Sequence, residues 1–313
     1  MVNEKDNKNI ACVIGGSGMV GSRVVDLLLK QGYSVRVLSR GQNYKRQDVE
    51  VIIGSLENEE VLNNFLYGAS LLFHCAGEFQ DESKMWEVNV HGTERLTQQA
   101  AQSGISYFCY ISSAGVVGKT SLSLVDETTP CAPMNLYEKS KLAAEQLIQR
   151  NIRNCRAIIL RPTNIVDDMR PGALSLPMKG SFSDRVKVLL KGGECAHIVH
   201  AEDVAAAALF FVGKHIEGTE CFFVSCDEEP LNTYAGIWPL YKACEDGLSA
   251  EAVRPALHVP LIVPYILRRL WRGHSNRGDV RYSSKKLMSA GFVFPLGLRK
   301  AIKKVASSKV AAG

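Results

Sequence analysis

Apolar residues in this chain fall in short continuous runs separated by longer amphipathic stretches. Ile10-Ala11-Cys12-Val13-Ile14 is one such run, bounded by glycines, and reads as a strand buried on both faces. Val20, Val24, Leu27 and Leu28 then recur at helical spacing, with Gly32 just past Lys30, which predicts a helix over Met19 to Lys30. Ser34 to Leu38 and Tyr107 to Ile111 repeat the strand pattern, and Tyr137, Lys141, Ala144, Glu145 and Ile148 share one face of a later helix. This alternation continues to about Ile165 and predicts an α/β chain on a parallel sheet. Val166 to Gly180, rich in Pro, Gly and Met, predicts a loop that would cover a substrate. A helix over Asp203 to Phe211 and a strand over Cys221 to Ser225 follow, so two lobes are interleaved in sequence.

The turn between the first strand and helix is Gly15-Gly16-Ser17-Gly18-Met19-Val20-Gly21. A strand must reverse sharply here: Gly15 allows the turn, Gly18 lets backbone approach a pyrophosphate, and Gly21 lets the helix lie close on the sheet. The second strand ends at Ser39-Arg40, where an NAD-selective site offers an acid to the ribose hydroxyls. Arg40 would instead pair with a 2′-phosphate. NADP(H) is therefore the preferred cofactor, with NAD(H) the alternative.

Tyr137 and Lys141, four apart, point the same way from one helix. An ammonium near a phenol favours the phenolate, so the Tyr137 pKa is expected to move down toward working pH. Tyr137 would exchange a proton with a substrate hydroxyl or carbonyl. Ser113, just past the strand Tyr107 to Ile111, would hydrogen-bond the same oxygen, and Lys141 would also hold the nicotinamide ribose. The expected catalytic set is Ser113, Tyr137 and Lys141.

With these motifs in order, the chain resembles the extended short-chain dehydrogenase/reductase family, of the NAD(P)-dependent epimerase/dehydratase type. The resemblance also runs through Phe73-His74-Cys75-Ala76-Gly77, Asn89-Val90-His91-Gly92-Thr93, Ile111 to Gly118, Leu160-Arg161-Pro162-Thr163-Asn164 and Val199 to Ala205. It implies a Rossmann-type, doubly wound parallel sheet with a smaller C-terminal substrate-binding lobe. Residues 9–165 and 198–235 would form the dinucleotide-binding domain, and 166–197 and 236–313 the substrate lobe. It also implies a cofactor site of Gly15, Ser17, Gly18, Met19, Val20, Gly21, Ser39, Arg40, Ser55, Leu56, Cys75, Ala76, Gly77, Tyr137, Lys141 and Pro162. Ser113, Ala114 and Asn164 would meet the substrate, Asn164 reaching the phosphates of a nucleotide-linked one; His74 and Asn89 would be structural hydrogen-bonding residues near the cofactor. Homodimerisation through helices over Met85 to Gln102 and Tyr137 to Gln149 follows from the same resemblance. Departures from the family's pattern are Gly54-Ser55-Leu56, which lacks an aspartate against the adenine, Val117 in place of a tyrosine, and Asp167 in place of a glycine.

The 313 residues include nine cysteines without metal-ligand spacing, so no metal site is expected and the thiols read as reduced, with Cys12, Cys75 and Cys109 in apolar strands. The polar opening Met1 to Asn9 has no apolar signal region, which places the protein in the cytoplasm. A net charge of +5 hides an uneven distribution: Arg254 to Lys304 holds twelve Lys and Arg against one acid, Asp279. No stacking-aromatic or groove-reading motif accompanies that charge, which argues against nucleic acid. His258 to Arg272 is too short and proline-broken to span a bilayer, which needs about twenty residues. It would either lie at a membrane surface, with Trp271 and the arginines at headgroup level, or pack on the protein's own core or a second subunit.

Two enzymes and one non-enzyme fit these features. The first is an epimerase or ketoreductase of a nucleotide-activated sugar, supported by Asn164 and the basic C-terminal region. The second is a hydroxysteroid-dehydrogenase or dihydroflavonol-reductase-like oxidoreductase, which would explain the apolar stretch Val259 to Leu270. The third is a cofactor-binding scaffold without turnover, against which the intact Ser113, Tyr137 and Lys141 argue.

Overall fold

In the computed structural model, residues 10–41, 44–153, 155–170, 182–215, 218–248, 253–272 and 278–310 are described. The chain divides into two compact units, one formed by residues 1–116, 133–161 and 205–222, the other by 117–132, 162–204 and 223–313.

The first unit is the α/β sheet. Its elements are β1 (Ile10–Ile14), α1 (Met19–Lys30), β2 (Ser34–Ser39), β3 (Glu50–Ile53), α2 (Glu59–Leu66), β4 (Ala69–His74), α3 (Glu82–Trp86), α4 (Gly92–Gln102) and β5 (Tyr107–Ile111). After the short β6 (Leu124–Val125) come α5 (Leu136–Asn151) and β7 (Arg156–Pro162). The chain continues through β8 (Asn164–Val166), α6 (Phe182–Lys191), β9 (Ile198–His200), α7 (Ala201–Phe210) and β10 (Thr219–Val224). It closes with α8 (Tyr234–Glu245), α9 (Ile262–Arg272), β11 (Arg281–Tyr282), α10 (Lys285–Ser289) and α11 (Gly297–Val310).

The sheet order is β10-β7-β5-β4-β1-β2-β3, and every pairing from β7 through β3 is parallel. Its central strands are apolar throughout because both faces are covered: Ala11, Cys12 and Val13 of β1 and Tyr107 to Tyr110 of β5 have no exposed surface. Strand order reverses between β2 and β4 on either side of β1. That is the switch point where α/β sheets open a crevice at the carboxyl ends of their strands.

The predicted bounds of β1, α1 and β5 agree with the structure. Within α1, Val25 is buried and Leu27 only half-buried. The predicted helix over Met85 to Gln102 is instead broken by a π turn at Glu87–His91. Cys75 lies one residue beyond β4, whereas Cys12 and Cys109 are buried strand thiols. None of the nine cysteines is in a disulfide. The loop expected over Val166 to Gly180 falls largely outside the described residues.

In the second unit, β8 pairs with β9 and β6 with β11, both in parallel. Asp203 accepts from the backbone N–H groups of Leu296 and Gly297, at 2.8 and 3.1 Å. It thereby anchors the start of α11. Burial pushes its carboxyl up to about 6 against those two hydrogen bonds.

Candidate active site

The glycine turn is built by close approach. Gly15 has φ +78, and a Cβ there would lie 2.7 Å from the Ala76 nitrogen; one on Gly21 would lie 2.1 Å from the Gly15 carbonyl oxygen. Any side chain at either position would push α1 off the sheet or close the crevice. The Gly18 N–H donates to the Gly15 carbonyl at 2.8 Å. The first turn of α1 holds no acid, so its backbone donors and dipole stay available to an anion.

A cavity of about 290 Å³ opens at this point, entirely within the first unit. Gly15, Ser17 and Gly18 form one wall, Ser39 and Arg40 a second, Ser55 and Leu56 a third, and Cys75, Ala76 and Gly77 the last. Ten residues predicted from sequence for the cofactor therefore converge. Met19, Val20 and Gly21 stand behind them in α1, and Tyr137, Lys141 and Pro162 are not in this wall. The cavity also has Tyr44, Glu57 and Arg95, which the sequence reading missed. Glu57 lies two residues past Ser55, where the missing aspartate directed attention one position too early. Arg95 pairs with Glu87 at 2.8 Å.

Lys141 is buried, with Nζ donating to the Ile111 carbonyl at 2.8 Å and lying 4.6 Å from the centre of the Tyr110 ring. Gly77 passes directly over it: a Cβ there would sit 3.0 Å from the same Nζ. Helix α5 thus reaches the carboxyl ends of β4 and β5 through this ammonium. Burial pushes Lys141 down to about 8, against the opposing pull of Cys75 and Glu145.

Tyr137 corrects an expectation. Burial raises the phenol above its ordinary value, with the Ser113 hydroxyl pulling it back. Desolvation outweighs the predicted effect of Lys141, whose ammonium is turned to the Ile111 carbonyl. Ser113 accepts from the Gly115 N–H at 3.1 Å, and Ala114 is buried at the start of the 3₁₀ turn Ala114–Val117.

Behind these residues lies a network of which the sequence reading named Asn89 and His74 and missed Glu145, Arg161 and Ser112. Glu145 takes Arg161 through both oxygens, at 3.0 and 2.6 Å, and the Ser112 hydroxyl at 2.6 Å. An acid on the apolar face of a predicted helix, four residues past Lys141, was the available signal. Asn89, inside the π turn, accepts from the Glu78 N–H at 2.7 Å and donates to the Ser140 hydroxyl at 2.9 Å. His74 meets the Thr93 hydroxyl at 3.0 Å, and burial holds its imidazole down to about 3.

Asn164 belongs to the second unit. Its side-chain amide donates to the Ala196 carbonyl at 2.8 Å, and its backbone N–H to the His197 carbonyl at 2.7 Å. His197 holds φ 57, an uncommon value for a residue with a side chain, and its Nδ1 lies 2.6 Å from Asp227. Asp167, Asp168 and His200 also come together. Lys304, paired with Glu202 and 3.8 Å from Asp168, supplies a countercharge there.

A family model described as "NAD dependent epimerase/dehydratase family" matches residues 11–221. The chain belongs to this family. Among curated relatives, a mouse (Mus musculus) sterol-4-alpha-carboxylate 3-dehydrogenase, decarboxylating, is 26% identical over 85% of this chain and 76% of its own length. A Mycobacterium tuberculosis 3 beta-hydroxysteroid dehydrogenase/Delta 5-->4-isomerase is 27% identical over 83% of this chain and 80% of its own. Among solved structures, a short-chain dehydrogenase/reductase superfamily protein from Agrobacterium tumefaciens with bound NAD superposes with TM-score 0.74 at 21% identity, covering 97% of this chain and 98% of that one. In this epimerase/dehydratase family member, the glycine turn, the β4 strand end and the Tyr137-Lys141 helix fall within the matched segment.

Proposed function

We propose that the protein is an NAD(P)-dependent oxidoreductase that interconverts a secondary alcohol and a ketone on an apolar, sterol-like ring, with Tyr137 as acid/base. The observation that carries the reading is the meeting of Ser113, Tyr137 and buried Lys141 in the unit that holds the glycine-walled cavity. The cavity suits a dinucleotide: a glycine turn, an uncapped helix start for the pyrophosphate, and Arg40 for a 2′-phosphate, so NADP(H) is the preferred form.

A bound nicotinamide would exchange hydride with the substrate carbon and, when oxidised, carry positive charge. Tyr137 takes or gives the proton of the substrate oxygen, and Ser113 holds that oxygen by hydrogen bonding. Lys141 keeps a cation beneath the strand ends, held by Ile111 and drawn toward Glu145. The phenol, raised by burial, serves as a proton donor in the reductive direction and needs an added positive charge to act as base.

The two steroid-oxidising relatives support an apolar substrate, as their names say of them. The alternative, a nucleotide-activated sugar, rests on Asn164, whose amide N–H is committed to Ala196. The test offers 3β-hydroxysterols, 3-ketosteroids and UDP- or dTDP-hexoses with each nicotinamide coenzyme, following reduced-nicotinamide absorbance and separating products. Coenzyme turnover with the steroids alone is the expected result. Conversion of the sugar nucleotides with inert steroids overturns it.

A further inference from the structure

Two helices of the second unit turn apolar faces outward. On α9, Ile262, Val263, Ile266, Leu267 and Leu270 are exposed, Leu270 to 80%, while Pro264 on the other side is buried. Their spacing of one and four residues makes them a single stripe. On α6, Phe182, Val186, Leu189 and Leu190 are exposed, Phe182 to 83%, and Val188 opposite is buried. The two helices pack together. An amphipathic helix in water buries its apolar side; an exposed apolar surface rimmed by charge marks a docking site.

The rim carries one sign. Arg185, Lys187 and Lys191 are exposed on α6, whose single acid, Asp184, is buried. α9 contributes the exposed Arg269, and no Asp or Glu occurs between Arg254 and Arg277. We infer that this surface seats on an anionic lipid bilayer, the apolar stripe entering the headgroup boundary and the cations lying against lipid phosphates. No described helix is long and apolar enough to cross a membrane, so the contact is peripheral. A second copy of the chain is the poorer occupant, because two copies meeting through this face would set cation rim against cation rim. The inference extends past the proposed reaction and does not depend on it.

The experiment is co-sedimentation of the whole chain with vesicles of phosphatidylcholine alone or with about one-third phosphatidylserine. Binding to the mixed vesicles, weak binding to the neutral ones and release by high salt are expected. Ile266→Asp with Leu270→Asp should abolish binding with little change in melting temperature, since Leu270 is 80% and Ile266 about half exposed. Lys187→Ala with Lys191→Ala should weaken it by about fivefold per charge removed. Equal partitioning of parent and variants overturns the proposal. So does sedimentation equilibrium without lipid, if it gives a dimer that the α9 double variant dissolves.

Discussion

Glu145 of α5 and Arg161 of β7 form a bidentate ion pair with side chains only 1% and 8% exposed. Removing one partner strands a buried charge, which costs about 3–5 kcal/mol, whereas replacing both by apolar groups of similar volume is often neutral. Arg161→Met should therefore lower the melting temperature sharply. Glu145→Leu combined with Arg161→Met should restore most of it; a double variant as unstable as the single one would contradict this account.

Tyr137→Phe keeps the ring but removes the hydroxyl that bonds Ser113, and with it the exchangeable proton. Turnover should fall by about 10²–10⁴. Coenzyme affinity, followed by quenching of protein fluorescence, should not change. Retention of more than a tenth of the parent rate would remove Tyr137 from its assigned role.

Lys141 offers a test in pH. Its folded pKa of about 8 lies below the ordinary 10.5, so between those values the unfolded chain holds more protons at this site and stability contributed by the site rises with pH. Below about 8 the folded protein bears the full penalty of a buried ammonium. Lys141→Met should thus melt higher than the parent near pH 7, lose activity, and lose its stability advantage as pH climbs toward 10.5. A constant difference in melting temperature across that range would refute the assignment.

Arg40 is exposed and lines the cavity at the end of β2. Arg40→Ala should weaken NADP(H) by roughly tenfold or more, the scale of a lost charge-assisted hydrogen bond. NAD(H) binding should hardly move, and equal losses for both coenzymes would discount the 2′-phosphate contact.

Asn164→Ala separates the two substrate classes. Its amide braces the Ala196 carbonyl, so the change should cost about 1 kcal/mol of stability. The KM for an apolar ketone should stay close to that of the parent. A large KM increase confined to sugar nucleotides would bring back the diphosphate role.

Local pattern made the sheet and the glycine turn legible. β1, α1 and β5 each carry their full signal within a few residues, and Gly21 answers to a contact with Gly15 in the same motif, although Gly15 itself is pressed against Ala76 past the end of β4. The Glu145 and Arg161 pair is different, since it joins a helix to a strand and no single window contains both. The Tyr137 pKa was misjudged because spacing reports a nearby cation but not the water lost from the phenol. For α9 the sequence left a membrane surface and the protein's own core both open, and α6 was not read at all, because only packing shows which way an apolar stripe turns.

The π turn at Glu87–His91 sets the phase of the helix on either side of it. It accommodates an additional residue in an otherwise continuous helical run. Deleting one residue there would give an unbroken helix with stronger local bonding, but every side chain on one side of the cut would swing by roughly 100° about the axis. Asn89 would then leave Glu78 and Ser140. The irregularity is thus a phase shift on which the Asn89 contacts depend, and removing it would be easy for the helix and ruinous for the crevice.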